Sequence, residues 1–158
     1  MGDESAVFEF EKDFAQSLRC IPMSVRLKLD TVGVKVSLKQ WNRLGAQERH
    51  SLLQLPCDAG ERGARYRDAV RSMVRERTGE DPEMLPAATQ PAWLDDSQVP
   101  EQIRTHMGTL GLPPLSQAQW VSLGPVRRFA LLKLSRPGHR NENFLPALRE
   151  FGLAAAER

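Results

Sequence analysis

The 158-residue sequence has no apolar run longer than four residues; the longest are Phe129 to Leu132 and Leu153 to Ala156. A membrane-spanning helix needs about twenty, so no span and no membrane partner is expected. The first residues include Asp3 and Glu4 in place of a basic-then-apolar stretch, which argues against a secretory signal and for the cytoplasm. Cysteine is scarce. Cys20 and Cys57 are too few for a disulfide framework, and in a reducing compartment they stay as thiols. They are the candidate metal ligands, but no CxxC or HxxxH accompanies them, and His50, His106 and His139 are scattered over separate elements. The simpler reading makes both cysteines small buried hydrophobes. A nucleophile elbow, a phosphate loop and a metalloprotease motif are all missing, so no catalytic residue is assigned and no stably bound cofactor is expected. Aromatics make up only 6% and are not interleaved with the basic residues, which counts against nucleic acid. A net charge of +2 names no partner.

What is present is a globular composition, 41% hydrophobic and 27% charged, in a length that suits a single domain. Within it lies an internal repeat over residues 22–56 and 100–135. Pro22, Val25, Arg26, Leu29, Val32 and Gly33 recur 78 positions on as Pro100, Ile103, Arg104, Met107, Leu110 and Gly111. After one inserted residue, Ser37, Trp41, Leu44, Gly45, Arg49, Leu52 and Leu53 recur as Ser116, Trp120, Leu123, Gly124, Arg128, Leu131 and Leu132. Each copy reads as three short helices. The proline suits a first helical turn and Gly33 or Gly111 the left-handed position that ends it. The second helix opens with a capping box, Ser37 with Gln40 and Ser116 with Gln119. The third follows Gly45 or Gly124. Neither unit can bury its apolar stripe alone, so the copies are expected to pack about a pseudo-twofold axis. Trp41, Trp120, Leu29, Met107, Leu53 and Leu132 are the expected core.

Between the copies, Tyr66, Ala69, Val70, Met73 and Val74 follow helical spacing and predict a longer helix over 61–78, ended by Gly79. Residues 80–99 then read as a proline-rich, acidic connector laid over the surface, with Trp93 pinning it; six acids, four prolines and no base fall in 80–101. Phe10, Phe14 and Leu18 favour a helix near the start, and Phe144, Leu145, Leu148 and Phe151 a last one over 144–151. The expected class is all-α.

Residues 124–140 hold Arg127, Arg128, Lys133, Arg136 and Arg140 with no acid. Either this strip pairs with the acidic connector, each pair contributing about 0 to 1 kcal/mol, or it is a docking surface. Arg67, Arg71 and Arg75 share a stripe of the central helix, but the acids among them make it a solvated face. The polar loop from Ser135 to Asn143 is the first candidate for recognition, because binding residues concentrate on loops held by a rigid scaffold.

A set of stretches carries a resemblance. They are Phe8-Glu9-Phe10-Glu11, Leu18 to Met23, Val25 to Asp30, Trp41, Arg49 and Leu55-Pro56-Cys57-Asp58 in the first half. In the second they are Trp93, Gln98-Val99-Pro100, Trp120, Arg128 to Leu134 and Asn143 to Leu153. Together these resemble the nitrate-reductase-associated protein family of bacteria. The resemblance implies a role in making assimilatory nitrate reductase active, an enzyme that holds a molybdenum cofactor and an iron–sulfur cluster. It brings no catalytic motif. A non-catalytic accessory or maturation factor is therefore expected, a monomer or weak homodimer that binds the cofactor-poor reductase. Arg136, His139, Asn141 and Asn143 would make the contacts, and Arg128 and Lys133 would steer encounter. Two alternatives stand beside it: a ligand-sensing protein whose groove is lined by Trp41 and Trp120, and a metal or cluster carrier using Cys20 and Cys57.

Overall fold

A computed structural model describes residues 7–11, 20–86, 90–138 and 141–155. The chain is mostly helical: α1 (Met23–Val32), α2 (Leu38–Arg43), α3 (Ala46–Gln54), α4 (Glu61–Thr78), α5 (Glu101–Thr109), α6 (Gln117–Lys133) and α7 (Phe144–Glu150), with 3-10 turns at Glu9–Glu11 and Ala92–Leu94. One element was not anticipated. β1 (Val34–Lys35) pairs antiparallel with β2 (Glu83–Met84), Val34 opposite Met84, and the Leu85 N–H donates to the Gly33 carbonyl at 2.7 Å. Gly33, at φ 73°, turns the chain out of α1 and leaves Val34 extended, so the acidic connector begins by closing a ladder on it.

The chain divides into two compact units, Asp3–Thr89 and Gln90–Arg158. In the first, Ser37 Oγ accepts from the Gln40 N–H at 3.0 Å while Gln40 Oε1 accepts from the Ser37 N–H at 3.0 Å, closing the box that starts α2. Helix α4 occupies the span predicted for it and stops at Gly79, φ 75°. Its start is held by Asp58, whose Oδ1 accepts from the N–H groups of Gly60 (2.8 Å) and Gly63 (3.3 Å). Backbone approaches so closely there that a Cβ on Gly63 would overlap the Asp58 carbonyl oxygen. Tyr66, Val70 and Val74, four residues apart, sink into a core shared with Val25, Leu29, Trp41 and Leu52. Glu11, 4% exposed, reaches the start of α1: its carboxylate accepts from the Met23 N–H at 2.8 Å, where Pro22 has no side chain to cap it.

The second unit follows a similar element order. Ser116 and Gln119 exchange the same pair of bonds, at 2.9 and 3.1 Å, to open α6. α6 then breaks at Gly124 (φ 77°, ψ 167°), ahead of Pro125, and resumes. Trp120, Ile103, Phe129, Leu131 and Phe144 are fully buried.

Five of the six expected core residues are buried: Trp41, Trp120, Leu29, Met107 and Leu53. Leu132 is not; it is half-buried, and its neighbour Leu131 faces the interior instead. Arg128, Phe129, Ala130 and Leu131 already span the buried side of the helix, and at about 100° per residue Leu132 falls on its rim. Near the N-terminus, Phe10 lies within a 3-10 turn, stacked on Phe8 at 5.4 Å, while Phe14 and Leu18 of the expected helix fall outside the described residues.

Candidate partner-binding surface

The break in α6 decides the fate of Arg128. Pro125 has no N–H, so the Val121 carbonyl four residues earlier loses its helical donor. Arg128 reaches back to supply one. Its Nη2 donates to Val121 O, its Nε to Trp120 O and its Nη1 to Trp93 O, each at 3.0 Å, with the guanidinium 5.9 Å from the Trp120 ring centre. At 7% exposure its guanidinium is bonded inside the fold, which corrects the expectation of an exposed side chain at this position. The same contacts anchor the connector. Trp93 lies edge-on to Phe129 at 5.0 Å, and the Trp120 indole N–H donates to Asp95 O at 2.8 Å.

The polar loop after α6 largely builds itself. Asn141, in the left-handed region at φ 55°, donates from Nδ2 to Arg136 O at 3.0 Å and accepts from the Phe144 N–H at 3.1 Å. The Asn143 carbonyl accepts from Ala147 N–H at 3.0 Å, starting α7. Both asparagines are half-buried. Lys133 is half-buried too, its Nζ 5.2 Å from the Phe129 ring centre. Arg136 is exposed, as is Arg127, which lies 5.4 Å from the Phe151 ring centre; His139 lies outside the described residues. Two acids of the connector have partners outside the basic strip. Asp81 pairs with Arg75 of α4 at 2.7 Å, a bond that holds its carboxyl below the usual range and raises the Arg75 guanidinium. Asp95 accepts from the Ser97 hydroxyl and N–H, which lowers its carboxyl as well.

A cleft of about 370 Å³ opens in the first unit, lined by Leu55, Pro56, Arg62, Arg65, Tyr66 and Ala69. Tyr66 is 1% exposed and its hydroxyl donates to Leu52 O at 2.7 Å. Burial, and after it the electrostatic influence of the nearby Cys57, pushes that hydroxyl far above the ordinary phenol value. Behind it, buried Lys28 donates from Nζ to Leu53 O (2.9 Å) and Leu55 O (2.7 Å) and lies 5.8 Å from the Tyr66 ring centre. The Cys57 thiol donates to Lys28 O at 3.7 Å. Sequence reasoning missed this cleft. Arg62, Arg65, Tyr66 and Ala69 follow i, i+3, i+4, i+7, a stripe on one side of α4 that was legible but was overshadowed by the buried stripe beside it.

Trp41 and Trp120 are fully buried, so neither lines a groove open to ligand. Cys20 and Cys57 are half-buried free thiols, and among the described residues no three His, Cys, Asp or Glu side chains are grouped to hold a metal. No helix among those residues is long and apolar enough to cross a membrane.

A family model, the conserved nitrate reductase-associated protein, matches residues 7–151. The chain belongs to that family. The match runs through both units of this nitrate reductase-associated protein and includes Glu11, Lys28, Tyr66 and Arg128, each bonded to backbone of its own fold. Comparison with curated proteins and with solved structures returned no match.

Proposed function

We propose that this protein is a non-catalytic accessory factor for assimilatory nitrate reductase. It binds the cofactor-poor enzyme in the cytoplasm, keeps it receptive to its molybdenum cofactor, and leaves when the loaded form closes. The family match over residues 7–151 carries this reading. Support also comes from where the buried ionisable groups point: Glu11, Lys28, Tyr66 and Arg128 hold backbone groups of the fold, which leaves the exposed surface as the working part. Such a cycle needs only differential affinity for two forms of the partner, a factor of about ten for each 1.4 kcal/mol. The protein acts as a monomer or weak homodimer and carries no cofactor of its own.

Capture of reductase from nitrate-grown cells, with and without molybdenum supply, tests this directly. The cofactor-starved enzyme is expected to be retained in excess; no capture of either form, or equal capture of both, would sink the proposal. Within it, Arg136 and His139 are the contacts assigned to the loop before α7. Their joint replacement by alanine is expected to weaken capture, and unchanged capture removes the loop from the interface.

A further inference from the structure

We infer that the cleft between the Leu55–Pro56 corner and α4 receives one bulky apolar side chain of a partner protein, carried on an acidic segment. The inference rests on the reading of this protein as a binding factor and supplies the chemistry of a contact.

The walls are apolar: the Tyr66 ring, Ala69, Leu55 and Pro56. They are also fixed before any partner arrives. The Tyr66 hydroxyl is tied to Leu52 O, and Leu55 is tied at both ends, its N–H to Ser51 O at 2.8 Å and its carbonyl to Lys28. A pre-formed wall lowers the ordering cost of binding. Leu55, Pro56, Arg62 and Arg65 are exposed, so the cleft cannot enclose a small molecule, which a ligand pocket typically buries over most of its surface. A side chain brought by a protein has no such need, because the rest of its own surface covers the rim.

Charge then selects the flanks. Arg62 makes no hydrogen bond or ion pair with any described residue, and Arg65 pairs only with Glu61 in its own helix, at 2.8 Å with both side chains over three-quarters exposed. An exposed pair of this kind contributes about 0 to 1 kcal/mol and exchanges readily for an incoming carboxylate. Two guanidinium forks one turn apart suit carboxylates on either side of the inserted residue.

The test uses the full chain and a fluorescein-labelled peptide with a central phenylalanine flanked on each side by two glutamates, read by anisotropy. Two control peptides replace the phenylalanine by serine or the glutamates by glutamine. Binding of the first peptide is expected to exceed both controls by about tenfold or more, and the double variant Arg62→Gln, Arg65→Gln to lose about tenfold with its denaturation midpoint unchanged. Equal binding of the three peptides, no binding of the first, or full binding by the double variant overturns the inference. Reductase capture on the same proteins separates the two levels. Capture by the wild-type chain with no preference among peptides defeats the cleft and spares the accessory role; peptide preference without capture does the reverse.

Discussion

Replacing Arg128 by alanine separates a structural role from a steering one. The guanidinium makes three 3.0 Å bonds to carbonyl oxygens at a site that is 7% exposed. Hydrogen bonds from an ionised donor contribute about 1.5–3 kcal/mol each, but three on one side chain do not add. What alanine leaves behind weighs more. The part-buried Val121 carbonyl has no helical donor because residue 125 is proline, and the Trp120 carbonyl beside it is buried; an unpaired buried carbonyl costs about 1–3 kcal/mol. A net loss of about 3–5 kcal/mol follows, a large part of the roughly 5–15 kcal/mol that holds a domain together. With a slope of about 2–6 kcal/mol per molar guanidinium, the unfolding midpoint should fall by roughly 1 M. Trp93 and Trp120 lie in the same unit, so intrinsic fluorescence follows it. Arg128→Lys keeps the charge but cannot span three carbonyls, and should fall between. Arg127→Ala, at an exposed site over the Phe151 ring, should cost no more than about 1 kcal/mol. An unchanged midpoint for Arg128→Ala, together with slower association with the reductase, would refute the structural assignment and restore the steering one.

Tyr66 is the single tyrosine, so its ionisation can be read without interference. Its folded pKa lies above the unfolded value near 10, so the unfolded chain loses this proton first, and stability is expected to fall as pH rises past about 10. Phenolate absorbance should therefore appear only together with loss of helix; a smooth titration near pH 10 in folded protein would contradict the burial. Tyr66→Phe should remove this alkaline loss and cost about 1 kcal/mol at neutral pH through the bond to Leu52 O. Gly63→Ala should destabilise by more than about 2 kcal/mol despite alanine's higher helix propensity, because the atom it meets is the Asp58 backbone oxygen. Gly108→Ala in α5 meets nothing within 4 Å and should stabilise by about 0.4–1 kcal/mol; thermal melts of the two variants that moved together would show that space does not govern either.

What could be read from the sequence was what local chemistry sets. Ser37 with Gln40 and Ser116 with Gln119 signal helix starts because the bonds close within four residues. Gly79 signals the end of α4 because only the left-handed region fits there. The illegible parts needed distant partners. β1 and β2 are two residues each, too short to show alternation, and exist because the chain returns some fifty residues later to Val34. Leu131 and Leu132 are equally apolar, and which faces inward depends on how α6 resumes after Gly124. The candidate surface suffered most. A basic residue in a basic strip reads as exposed until the backbone around it is known, and Arg128 is drawn inward by the helix break at Gly124 and Pro125. The cleft beside Tyr66 needed the Leu55–Pro56 corner brought against α4 and could not be seen from either segment alone.

Among the described residues, the three buried full charges obey one rule. Glu11 sits at the N-terminus of α1, accepting from Met23 N–H. Lys28 sits at the C-terminus of α3, on the carbonyls of Leu53 and Leu55. Arg128 sits where the first half of α6 ends, on those of Trp120 and Val121. The anion meets a helix start and the cations meet helix ends, the arrangement the peptide dipoles favour, and each charge also pairs backbone groups left without a partner inside their own helix. Short helices make this necessary. α3 has nine residues and each half of α6 about as many, so groups at the ends form a large share of the backbone and exposed water cannot reach those that face the core. Glu11, Lys28 and Arg128 all lie in the stretches that carry the family likeness. Their presence there is explained by the fold. Under the accessory role proposed above, recognition of the reductase falls to residues that the fold does not need, such as Arg62, Arg65 and Arg136.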